Sequence, residues 1–212
     1  MNQFINIFHS EEDIGAEDFE NEIWQNTEAV EISRYWSGAG ASPERTALAG
    51  LIWTDAALLV RFDCSQHEPF VVNPHPQVEQ KTNGLWEQDV CEIFVAPDSS
   101  RPERYFEFEV APTGEWLDLG IHQLPAGRET DFTYNSGMKT AARIVRNSFT
   151  VILRVEWNAF GKKPESGDAW RGNLFRCVGS GETRGYLAWQ PTLTEKPNFH
   201  VPAAFGWLRF NR

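Results

Sequence analysis

The chain has 212 residues, 41% of them apolar and 13% aromatic, with nine tryptophans and fifteen phenylalanines, enough bulk for one sizeable core in a single domain spanning residues 1–212. Nineteen basic residues against thirty acidic ones leave a net charge of −11, which repels polyanions and argues against nucleic acid and anionic membrane surfaces as partners. Three cysteines, Cys64, Cys91 and Cys177, form no CxxC pair and suggest no disulfide framework; Cys91 and Cys177 sit in apolar runs and are expected as small core residues.

In chain order, Met1 to Glu12 is polar and acidic with no long apolar stretch, so no secretory signal is expected there. No run anywhere approaches transmembrane length. The sequence as given is expected in the cytoplasm, or in the periplasm or outside the cell if a signal has been removed. A short helical turn is predicted near 16–22, followed by strands at 29–35 and 47–53. In 57–63, Leu58, Val60 and Phe62 face one way and Leu59, Arg61 and Asp63 the other. Further strands are predicted at 89–96, 105–110, 116–119, 141–146, 149–157, 173–178, 186–189 and 207–210. In 105–110, Phe106, Phe108 and Val110 oppose Glu107 and Glu109. About eleven strands of period two, separated by Gly-, Pro- and Asn-rich turns, with little helix, predict an all-β fold: a two-sheet antiparallel sandwich. Three stretches have no strand pattern, 64–84, 124–137 and 191–202, and loops of that length in a compact domain are usually functional or disordered.

The segment 85–95 is the densest in chemistry, placing Trp86 at a loop-to-strand junction beside Glu87, Asp89 and Glu92. Alternation puts Trp86, Gln88, Val90 and Glu92 on one face and Glu87, Asp89, Cys91 and Ile93 on the other, so a carboxylate lies near whichever face is dry and needs a polar partner. An indole beside carboxylates suits a sugar, whose ring faces are apolar and whose rim is hydroxylated; the bland alternative is a core tryptophan beside a solvated strand end. Toward the C-terminus, Trp189 and Phe199 add aromatics around a proline-rich loop, and Phe199, with no strand pattern to bury it, is expected either as a ligand contact or as a plug over the end of the sandwich.

Trp86, Glu87, Gln88, Asp89, Glu92, Ile93 and Phe94, then Phe108 and Val110, 138–141, Trp189 with Pro191 and Thr192, and finally Phe205, Gly206, Leu208 and Arg209 together resemble the family 9 carbohydrate-binding modules and the wider DOMON-like group of jelly-roll sandwiches. Glu22, Ile23 and Trp24 extend the resemblance over nearly the whole chain. It implies non-catalytic binding of a mono- or oligosaccharide, clamped between Trp86 and Phe199 with Gln88 and Glu92 on its hydroxyls. Where sugar-binding members carry arginine and asparagine in a later strand, this chain has Glu109 and Ala111, and Glu109 joins the expected sugar-binding set with Trp189. The resemblance also allows structural calcium, although the sequence has no EF-hand-like ligand run. Two alternatives stay open: a glycoside hydrolase using Glu87, Asp89 or Glu92, and a haem domain for which only Met1 and Met138 offer a methionine ligand. None of His9, His67, His75, His122 and His200 stands in a zinc-binding spacing.

Overall fold

A computed structural model describes residues 3–212, and among them no α-helix forms; strands are joined by turns and short 3-10 segments. The strands are β1 (Phe4–His9), β2 (Val30–Ile32), β3 (Arg34–Tyr35), β4 (Ala47–Trp53), β5 (Ala57–Ser65), β6 (Val90–Ala96) and β7 (Arg104–Val110). They continue as β8 (Trp116–Leu124), β9 (Gly127–Asp131), β10 (Lys139–Val145), β11 (Ser148–Glu156), β12 (Ala169–Val178), β13 (Gly185–Ala188) and β14 (Gly206–Asn211).

Hydrogen bonding links them along one path, β10-β11-β5-β4-β1-β14-β12-β6-β7-β8-β9, with β2 added to β4 and β13 to β12. The joint is β1, whose pairings with β4 and β14 are both parallel, while the ladders on either side are antiparallel. The sheet curls so that the two arms face each other. Val60 and Phe62 of β5 and Val151 and Leu153 of β11 share one core with Ile93 and Val95 of β6 and Phe108 and Val110 of β7. The hydrophobic effect closes the curl, because these side chains are fully withdrawn from water.

Each arm also buries its outer face. Ile52, Leu59 and Ile152 are covered by Ile14, Ala16 and Trp24, so the residues near the expected helical turn form a cap, with the 3-10 turn itself at Glu22–Asn26. On the other arm, Phe94, Phe175, Leu117 and Leu119 are covered by Leu85, Phe199 and Phe205. This second layer decides the site, since it turns an expected wet strand face into a lined interior.

Most predicted strands form within a residue or two of expectation. Two strands were not expected. Strand β1 sits in the terminus read as polar, although Ile5 and Ile7 are fully buried; β9 is an exposed edge strand without an apolar residue and lies inside the expected loop 124–137. Cys64, Cys91 and Cys177 are all buried free thiols, with the Cys64 and Cys91 sulfurs 3.3 Å apart.

Candidate functional site

On the outer face of the β12-β6-β7-β8 arm lies a cavity of about 230 Å³. Trp86, Phe132, Tyr186 and Phe199 are its aromatic lining, Glu87, Glu92 and Glu107 its acidic lining, and Arg128 and His200 stand at its edge.

Trp86 is presented by a 3-10 turn, Leu85–Glu87, entered through Gly84 in the left-handed region at φ 83°, where a side chain would be strained. Leu85 anchors the turn by full burial, and the Arg184 guanidinium clamps it by donating to the carbonyls of Trp86 (2.5 Å), Gln88 (2.9 Å) and Gly179 (2.8 Å). Trp86 itself is 37% exposed, which leaves ring surface free. Phe199 comes from the loop between β13 and β14, and its ring stacks on Phe175 of β12 at 4.1 Å and 13° while Tyr186 meets its edge. That loop is held by its own bonds: the Trp36 indole donates to the Thr194 carbonyl, and the Asn173 amide to the Gln190 carbonyl.

The floor is a trio of carboxyls. Glu92 on β6 stands directly opposite Glu109 on β7, and Glu107 is two residues along on the same face. All three are withdrawn from solvent. Both oxygens of Glu109 and one of Glu107 find no partner outside the trio, the Glu107 and Glu109 carboxyls lying close enough to interact with each other, and Glu92 accepts only a weak bond from the Cys177 thiol at 3.6 Å. Burial pushes Glu107 up to about 7; burial, then the charge of Glu107, holds Glu92 well above the usual carboxylate range. Glu109 is raised likewise, by burial and then by the other two acids. Protonated carboxyls both donate and accept, which matches the dual character of a hydroxyl.

Beside the trio, the Tyr105 hydroxyl and His200 Nδ1 are 2.8 Å apart, and His200 Nε2 faces the Glu107 carboxyl at 3.9 Å. Burial drives His200 down to about 3, so the imidazole is neutral.

The expected site residues separate into two groups. Trp86, Glu92 and Phe199 meet at the cavity, with Glu109 in the acid cluster behind it. Gln88 does not line it: its side-chain oxygen accepts from the Asn73 backbone N–H at 2.8 Å and braces the loop after β5. Trp189 packs in the central core with its ring against Gly206. Asp89, a candidate hydrolase acid, is fully occupied by Gln66 (2.6 Å) and the backbone amides of Val71 (2.8 Å) and Gly179 (2.7 Å), away from the cavity. Met138 is buried in the central core, and Met1 lies outside the described residues. Among the described residues no group of three or more His, Cys, Asp or Glu side chains is placed to hold a metal ion. Sequence reasoning missed Glu107, Tyr186, Arg128 and His200. Of these, Glu107 was signalled by its two-residue spacing from Glu109, and Arg128 lies on β9, which has no apolar pattern.

A family model described as "Carbohydrate family 9 binding domain-like" matches residues 16–211. The chain is 25% identical over 175 residues to an "Extracellular protein" of Arthroderma benhamiae, covering 76% of each. It is 21% identical over 194 residues to "Endo-1,4-beta-xylanase A" of Thermotoga maritima, covering 89% of this chain but only 16% of that enzyme's length. Among solved structures, a carbohydrate binding module family 9 from Caldicellulosiruptor kristjanssonii in complex with cellotriose superposes with a TM-score of 0.69 at 18% identity, covering 98% of this chain and 93% of that one. At that identity the likeness concerns the fold. No helix among the described residues is long and apolar enough to cross a membrane.

Proposed function

Since this chain belongs to the carbohydrate family 9 binding domain-like family, we propose that its cavity binds a mono- or oligosaccharide without chemical turnover, with a sugar ring lodged between Trp86 and Phe199. The observation that carries this reading is the meeting of a half-free indole, a loop phenylalanine and buried, unpaired carboxyls around one cavity of about 230 Å³. Indole and phenyl faces take the apolar face of a pyranose, and Glu92 and Glu107 take hydroxyls from below, with Glu109 behind them. The orphaned oxygens then gain the hydrogen bonds they lack, which favours a polar ligand over an apolar one. The enzymes among its relatives are about six times longer than the stretch matched here, and their catalysis is not transferred to this chain.

We read the whole chain, 1–212, as one module of the DOMON-like, jelly-roll type, in which the two arms of the curled sheet serve as the two layers of a sandwich. The relative named as an extracellular protein favours action outside the cytoplasm. Calorimetric titration with a panel of mono- and disaccharides tests the reading: binding is expected, and Trp86→Ala is expected to weaken it at least about tenfold, or about 1.4 kcal/mol. No heat with any sugar, or unchanged affinity in the variant, refutes it.

A further inference from the structure

The molecule contains two kinds of buried acid. Asp89 receives three donors; Glu115 receives the Asn73 amide, the Gln77 backbone and the hydroxyls of Thr82 and Thr113; Asp118 receives Ser136 twice and pairs with Lys81 at 2.5 Å. Where an acid serves only the fold, the chain supplies its partners. Glu92, Glu107 and Glu109 are as deeply buried, yet beyond the weak Cys177 contact and the approach of Glu107 and Glu109 to each other the chain supplies them no donor. Three carboxyls on two neighbouring strands also repel one another when ionised, so the arrangement is costly to the fold unless something outside the chain meets it.

The cavity above them has an unequal charge inventory. Glu87, Glu92 and Glu107 line it, Glu109 stands behind, and against these four acids the cationic side chain in the lining is Arg128 on the edge strand β9, whose charge reaches Glu107. Arg184 is nearby, but its guanidinium is committed to three backbone carbonyls. His200 presents a neutral ring. The walls are aromatic faces, which attract cations as well as sugar rings.

From this geometry we infer that the cavity prefers a sugar bearing a primary amine, its ammonium group seated on Glu92 and Glu107, with Glu109 behind them, and its ring held by the aromatic walls. An ammonium has three donors and no acceptor, which matches a floor of orphaned acceptor oxygens. Its charge also favours ionisation of acids that burial otherwise holds protonated, which a neutral hydroxyl does not. The inference rests on the sugar-binding reading of the same cavity and names the chemical class of its ligand.

Calorimetry of the full chain at about pH 7 with glucose, glucosamine and N-acetylglucosamine separates the possibilities, since most of the amine is protonated there and acetylation removes its charge. Glucosamine is expected to bind at least about tenfold more tightly than either neutral sugar. Glu109→Gln, and independently Glu107→Gln, is expected to bring the glucosamine-to-glucose affinity ratio toward one, with folding of each variant checked by near-ultraviolet circular dichroism. Glucose binding as tightly as glucosamine in the unmodified protein overturns the inference and leaves the sugar reading standing. No heat with any of the three overturns both. Calcium chloride alone binding more tightly than glucosamine assigns the floor to a metal and also overturns the inference.

Discussion

Replacing Glu107 with glutamine tests whether the floor of the cavity is as dry as the structure places it. The Glu107 carboxyl is 3% exposed, and burial raises it from an ordinary value of 4.5 to about 7. The folded protein therefore holds a proton that the unfolded chain releases. Stability contributed by the protonated carboxyl is fully present below pH 4.5 and is lost as pH rises through about 7. At about 1.4 kcal/mol per pH unit the loss comes to about 3 kcal/mol. The wild-type profile alone does not isolate this, because His200 acts in the opposite sense: its folded value is depressed to about 3, so its contribution is present above 6.5 and lost as pH falls toward 3. The difference between wild type and Glu107→Gln removes the His200 background and adds, in the same direction, the relief of Glu92 and Glu109, which the Glu107 charge raises. In urea titrations, Glu107→Gln is expected to match wild type to within about 1 kcal/mol near pH 4.5 and to be more stable by about 3 kcal/mol near pH 8.5. A difference that stays flat across that range, or grows in the other direction, refutes a buried, unpaired Glu107.

Two predictions concern the scaffold that aims the site. Arg176 is fully buried and donates to the carbonyls of Arg45 (2.9 Å) and Thr46 (2.6 Å) and to the Gln66 side chain (3.0 Å), which in turn holds Asp89; Arg176→Met is expected to cost about 3–5 kcal/mol in chemical denaturation, because it strands acceptors and an acid in the core. A cost below about 1 kcal/mol would show that water reaches this network. Gly206→Ala places a Cβ against the Trp189 ring and the Gln3 carbonyl, and is expected to destabilise by about 1–3 kcal/mol; a neutral effect would mean that Trp189 is not fixed in the core.

Much of the architecture was legible because burial on one face leaves a period of two. Leu58, Val60 and Phe62 face the central core, and Leu59 faces the N-terminal cap, as alternation predicts. What alternation cannot reveal is whether a polar face meets water. Glu107 and Glu109 oppose Phe106, Phe108 and Val110 as expected, yet the 191–202 loop and the 3-10 turn at Leu85 roof that face and make it interior. The same limit applies to Gln88, whose alternation is broken by the turn before β6, and to Trp189, whose place in the core depends on Gly206 leaving room for its ring. Strand β9 was illegible for a different reason: an edge strand with no buried side chain is specified by its neighbour's backbone and its own turn, and leaves no hydrophobic signature. Trp86 and Phe199 were legible as a pair only through the family resemblance, since they are 113 positions apart in a sequence of 212 residues and the pairing of β12 with β6, β13 and β14 brings them to one face.

The most direct measurement of the central claim is a crystal structure of the protein soaked with a monosaccharide. Density for one sugar ring is expected in the cavity, in contact with Trp86 and Phe199 and within hydrogen-bond distance of Glu92 or Glu107. Density only at another surface, or a cavity that stays filled with water at saturating sugar, would contradict it.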